Sequence, residues 1–156
     1  MNEIIYAVVM LFQVSGQNVI GTATGFFYES NEKLYLITNK HVLNFSINNE
    51  DPKIHFKIHT DSTDFSKQHE VIISLKENEK LKWYYLSNDI DVAAIPINKE
   101  ILEKGIIYPL SSKNFPTENI HLSIGEELYA IGFPRGFTDK INLTPIVKSV
   151  TISTPP

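Results

Sequence analysis

The sequence predicts an all-β fold, and three observations carry that expectation. Nine Phe and seven Tyr accompany abundant Val and Ile, while few stretches repeat with helical period. Lys53-Ile-His-Phe-Lys-Ile-His-Thr60 alternates apolar and polar residues, the period of a strand. Short apolar runs elsewhere are bounded by turn-forming Ser, Asn and Gly. At 156 residues and 42% hydrophobic content the chain can bury one good core, and nothing demands two independently folding units.

Taken in order, residues 2–14 and 18–28 read as two apolar strands joined by Ser15-Gly-Gln-Asn18, a hairpin-type loop. Both are apolar on consecutive residues, as expected of strands covered on both faces. A third strand follows the Ser30-Asn-Glu32 tip, runs through Tyr35, Leu36 and Ile37 and ends at His41, with Val42 and Leu43 opening a helical turn. Asn44 to Pro52 is polar and reads as a surface loop. In the fourth strand Ile54, Phe56 and Ile58 face inward, and His55, Lys57 and His59 form a solvated face. Glu70 to Leu75 and Leu81 to Tyr85 are further strands around a charged Lys76–Lys80 turn, with Trp83 as core or barrel-rim packing. Asp91 opens an apolar strand ending at Ile97. Asn98 caps one or two helical turns that end at Gly105. A Pro-, Ser- and Asn-containing linker reaches Ser123, and Glu126–Phe133 and Thr144–Ser153 read as two last strands.

Composition narrows the function. A formal charge of −4, from 14 basic and 18 acidic residues, argues against nucleic-acid binding. There is no cysteine, which points to a reducing compartment and a cytoplasmic location. The opening apolar run carries Glu3 where a signal peptide is positive and is too short for a membrane span, so no membrane association is expected. His55, His59 and His69 suggest a metal site only superficially, because strand residues four apart are separated by about 13 Å. No metal and no cofactor is expected.

The stretch with most chemical content is Gly21-Thr-Ala-Thr-Gly25-Phe-Phe-Tyr28 together with Leu36-Ile-Thr-Asn-Lys-His41-Val, followed later by Asp91-Val-Ala-Ala-Ile95 and Ile131-Gly-Phe-Pro-Arg-Gly136. A histidine at a strand-to-loop junction is where rigid scaffolds present reactive groups. In kind and order these four pieces resemble the trypsin-like (chymotrypsin-fold) serine peptidases, and the resemblance covers nearly the whole chain. It implies a chymotrypsin-like β-barrel, with the first barrel essentially complete over 1–124 including the linker and a second barrel only begun over 125–156. It also implies that His41 is general base and then general acid, and that Asp91 holds the His41 tautomer and stabilises the imidazolium. Asp89 is the rival carboxylate; Asp91 is preferred because it abuts Val-Ala-Ala-Ile.

The family's nucleophile, in a Gly-Asp/Asn-Ser-Gly-Gly loop after the aspartate, has no counterpart among these residues. Ser149 and Ser153 lie within or at the end of an apolar strand. The chain is therefore expected to be a fragment of a serine endopeptidase domain, acting on a polypeptide substrate and inactive as it stands. A second reading is a catalytically dead barrel that binds a peptide or partner protein. A third makes His41 and Asp91 structural residues of an unrelated barrel. An unclosed second barrel leaves unpaired strand edges, so the isolated polypeptide is expected to self-associate or need a partner. Sedimentation velocity checks this, and a monodisperse, cooperatively melting monomer contradicts it.

Overall fold

A computed structural model describes residues 3–116 and 122–154. Residue 2 of the expected first strand and residues 117–121 of the expected linker lie outside the described residues. Seven antiparallel strands form one sheet: β1 (Val8–Ser15), β2 (Asn18–Ser30), β3 (Lys33–Thr38), β4 (Pro52–His59), β5 (Gln68–Ser74), β8 (Tyr84–Tyr85) and β9 (Ala93–Ile97), in the spatial order β5-β4-β1-β2-β3-β9-β8. Between β5 and β8 a small hairpin, β6 (Lys76–Glu77) and β7 (Lys80–Leu81), stands alone. The sheet rolls around a single core to which Leu11, Phe27, Leu36, Phe56 and Ile95 each contribute a fully buried side chain. Phe27 and Phe56 meet edge to face at 5.8 Å.

β2 is the long strand that bends the sheet. Its first half pairs with β1 and its second half with β3, and Phe26 is shared, opposite both Val8 and Ile37. Gly25 sits where side chains from both neighbours cross the strand. A Cβ there would lie 2.9 Å from a methyl of Leu11 and 3.0 Å from one of Leu36. The β2–β3 turn has positive φ at both Asn31 and Glu32, the hairpin geometry whose twist matches that of the strands.

Several elements differ from the sequence reading. The first strand begins at Val8, because Glu3–Tyr6 form a 3-10 turn closed by the Ala7 N–H on the Ile4 carbonyl at 3.1 Å. The third strand ends at Thr38, not His41, and His41 lies in the helical turn α1 (Lys40–Leu43). Residues 44–52 are not a plain surface loop. α2 (Phe45–Asn48) buries Ser46, whose Oγ accepts the Trp83 indole N–H at 2.9 Å, and Pro52 is buried at the start of β4. The strand expected over Leu81–Tyr85 is split, with buried Trp83 between β7 and β8. Ala93, not Asp91, opens β9. Consecutive apolar character also misleads in the first half of β2, where Val19 and Ile20 are exposed.

The solvated histidine face needs a sharper correction. His59 is buried, edge-on to Tyr6 and Phe65, and its Nε2 lies 2.7 Å from the Asn142 carbonyl. His55 is half-buried, and its Nε2 has no hydrogen-bond partner among the described residues. Elsewhere the caps behave as read: the Asn98 side chain accepts the Glu100 N–H at 3.1 Å and opens the 3-10 turn Lys99–Glu103.

β10 (Glu127–Gly132) and β11 (Ile146–Thr151) form a separate antiparallel pair laid against the β1–β2 hairpin. The contact is tight: Thr24 Oγ1 accepts the Phe133 N–H at 2.9 Å, and Gly136, at φ 69°, approaches Thr22 so closely that a Cβ would sit 2.9 Å from its hydroxyl. Among the described residues no helix is long and apolar enough to cross a membrane.

The Trp83–Ser46 bond joins α2 to the segment between β7 and β8 in the interior. Trp83→Phe removes the donor and leaves a buried hydroxyl unsatisfied, an expected loss of about 1–3 kcal/mol in urea unfolding. Adding Ser46→Ala to that variant should recover part of the loss; strictly additive costs would show the bond to be unimportant.

Candidate active site

β3 and β9 lie side by side, with Leu36 opposite Ile95 and Thr38 opposite Ala93. This register sets the end of β3 beside the loop that leads into β9. Beyond Thr38 the chain leaves the sheet through Asn39, in extended conformation, and turns into α1. Thr38 is buried, and its hydroxyl donates to the Thr24 carbonyl at 2.8 Å, so the exit is anchored to β2. Gln13 on β1 supports the other end of α1 by donating from Nε2 to the Val42 carbonyl at 2.5 Å.

His41 and Asp91, the two residues singled out in the sequence, are in contact. Nδ1 of His41 lies 2.6 Å from Asp91 Oδ2, and the His41 backbone N–H donates to Asp91 Oδ1 at 2.9 Å. With the carboxylate at Nδ1, the neutral ring carries its proton on that nitrogen, and Nε2 keeps a free lone pair. Among the described residues nothing bonds to Nε2. The side chains are 68% and 51% exposed, so the pair is open to solvent. Asp89, the rival carboxylate, is exposed in the preceding bend and makes no bond to His41 among the described residues.

Asp91 has further donors that the sequence reading missed. Asn39 Nδ2 reaches both the Asp91 carbonyl, at 3.0 Å, and Oδ2, at 3.2 Å. Lys40 donates from Nζ to Asn88 Oδ1 at 2.7 Å and lies 4.3 Å above the centre of the Tyr85 ring. The available signal was the polar pair Asn39-Lys40 immediately before the histidine. The Asp91 carboxyl is held below the ordinary range first by the His41 backbone N–H and then by the His41 ring. Ser149 sits on β11 with its hydroxyl donating to Glu127, away from this pair.

The fold is trypsin-like, an all-β chymotrypsin-type barrel with a histidine–aspartate pair at the end of β3. Among solved structures the chain is similar to the crystal structure of Deg5, with a TM-score of 0.59 at 20% identity. The match covers 97% of this chain and 60% of the Deg5 chain. Neither a protein-family model nor a curated protein matches the sequence.

Because the Asp91 carboxyl titrates lower in the folded chain, its contribution to stability is complete above the unfolded value of about 4 and is lost as pH falls through the lower folded value. Asp61, Asp64 and Asp139 are lowered as well, so wild-type acid lability alone does not isolate it. The difference in melting temperature between wild type and Asp91→Asn should shrink as pH falls below about 4. A difference that stays constant or grows below about pH 4 would contradict this assignment.

Proposed function

We propose that the chain is the histidine- and aspartate-bearing part of a trypsin-like serine endopeptidase, hydrolysing peptide bonds through an acyl-enzyme. The observation that carries this reading is the 2.6 Å contact between His41 Nδ1 and Asp91 Oδ2, which leaves Nε2 free as a base. In this mechanism Nε2 takes the proton of a serine hydroxyl as its oxygen attacks the substrate carbonyl carbon. Asp91 stabilises the imidazolium, and His41 then returns the proton to the leaving amine. Water hydrolyses the acyl-enzyme by the same route.

The serine has to come from a segment outside these 156 residues, since none of them is placed on a Gly-flanked elbow. Such a segment would add strands to the β10–β11 pair, making 125–156 the start of a second barrel and 1–124 the first. The absence of cysteine supports a cytoplasmic setting. Loss of the nucleophile from such a triad costs about a millionfold in turnover, or about 8 kcal/mol of barrier, so these residues alone should not cleave peptides.

A second reading is a barrel without chemistry that binds a peptide or partner protein, with self-association through strand edges as one form of it. A fluorophosphonate probe applied to the full gene product separates the two. The peptidase reading expects one labelled serine and loss of labelling by roughly a thousandfold or more in His41→Ala. Labelling that His41→Ala leaves unchanged would overturn it, and no labelling together with retained peptide binding would establish the second.

A further inference from the structure

This inference rests on the reading of His41 as base and Asp91 as its orienting carboxylate. A carboxylate on a loop has several side-chain rotamers, and only one presents an oxygen to Nδ1. Asp91 lies outside regular secondary structure, two residues before β9 begins, and is half exposed, so strand pairing alone does not select that rotamer. Its partners do. Oδ1 accepts the His41 backbone N–H, while Oδ2 is shared between the His41 ring and Asn39 Nδ2.

Asn39 makes two bonds to one residue, to its main-chain carbonyl and to its side-chain oxygen. Both partners accept only, so the amide is oriented with its NH2 toward Asp91. Bonds to O and Oδ2 of the same residue fix the torsion between backbone and carboxylate. Asn39 is itself held because Thr38 beside it is tied to Thr24.

We propose that Asn39 is a positioning residue that locks the Asp91 side chain in the rotamer presenting Oδ2 to His41 Nδ1, and so selects the His41 tautomer with a free Nε2. Lys40 separates this role from simple docking of the loop. Its bond to Asn88 and its place over Tyr85 hold residues 85–88 independently of Asn39. Removing the Asn39 amide therefore loosens the carboxylate, which keeps its bonds to His41, while the loop stays attached.

The test uses ring-nitrogen NMR of the full gene product above neutral pH, with the His41 signals assigned from their loss in His41→Gln. Asp91→Asn should lower the ratio of Nδ1–H to Nε2–H tautomer and serves as the reference. Asn39→Ala and Asn39→Ser, the second keeping a polar group too short to bridge, should lower that ratio by about three- to tenfold, the range of one lost hydrogen bond. In both variants the side-chain couplings of Asp91 should change from a single-rotamer toward an averaged pattern, with the chain still folded at the pH of the measurement. An unchanged ratio, or Asp91 couplings that still report one rotamer, would overturn the role of Asn39 while leaving the dyad intact. A ratio insensitive to Asp91→Asn would remove the dyad reading itself.

Discussion

The pairing of β3 with β9 is the constraint on which the site depends. His41 and Asp91 are 50 residues apart in sequence, and closing a loop of that length costs about 3.5 kcal/mol of chain entropy. An exposed ion pair contributes about 0–1 kcal/mol and cannot meet that cost. The facing strands can. Leu36 and Ile95 are directly opposed and fully buried, and each contributes about 1.5–3 kcal/mol, with Leu34, Phe27 and Phe56 adding to the same core. The contact between imidazole and carboxylate is thus a consequence of sheet packing, with both groups placed beyond strand ends by a rigid scaffold.

β2 extends this constraint to the rest of the molecule. Thr24 receives two hydrogen bonds, one on its carbonyl from Thr38 and one on its hydroxyl from the Phe133 N–H. The first fixes the chain three residues before His41, and the second docks the segment that follows β10. The β10–β11 pair and the candidate site are therefore referenced to the same residue. The close approach needs Gly132 opposite Thr24 and Gly136 opposite Thr22, because side chains at those positions would collide with the threonines. The two glycines of Ile131-Gly-Phe-Pro-Arg-Gly136 thus have a packing reason that is independent of any likeness to other proteins.

What was legible in the sequence followed from local rules. The alternation in β4 placed Ile54, Phe56 and Ile58 correctly in the core, because side chains alternate faces whatever the surroundings. It failed for His59 because the ring is covered by Tyr6 and the Asn142 carbonyl, which come from distant segments, and by Phe65 from the loop that follows the strand. The run at 2–14 hid a 3-10 turn for a related reason: an unbroken apolar stretch has no period that separates a turn from a strand. At the site, the order of the motifs singled out His41 and Asp91, which the fold brings into contact. The bonds of Asn39 to Asp91 had no such signal, since an asparagine after a strand reads locally as a place where the strand stops.

In the proposed mechanism, the distribution of bonds around Asp91 also bears on how the pair behaves through a proton transfer. Of the four hydrogen bonds on this residue, three come from uncharged amide donors: the His41 backbone N–H and the two from the Asn39 side chain. Amides do not titrate, so these bonds persist whether the imidazole is neutral or charged. Only the bond from Nδ1 gains strength when His41 takes up a proton, since it then joins opposite charges. At the observed exposure that gain is small and screened by solvent, so it does not pull the groups into a new arrangement. The geometry needed before proton transfer is therefore the geometry needed after it, and an unchanging environment of this kind lets a developing charge be stabilised without reorganisation.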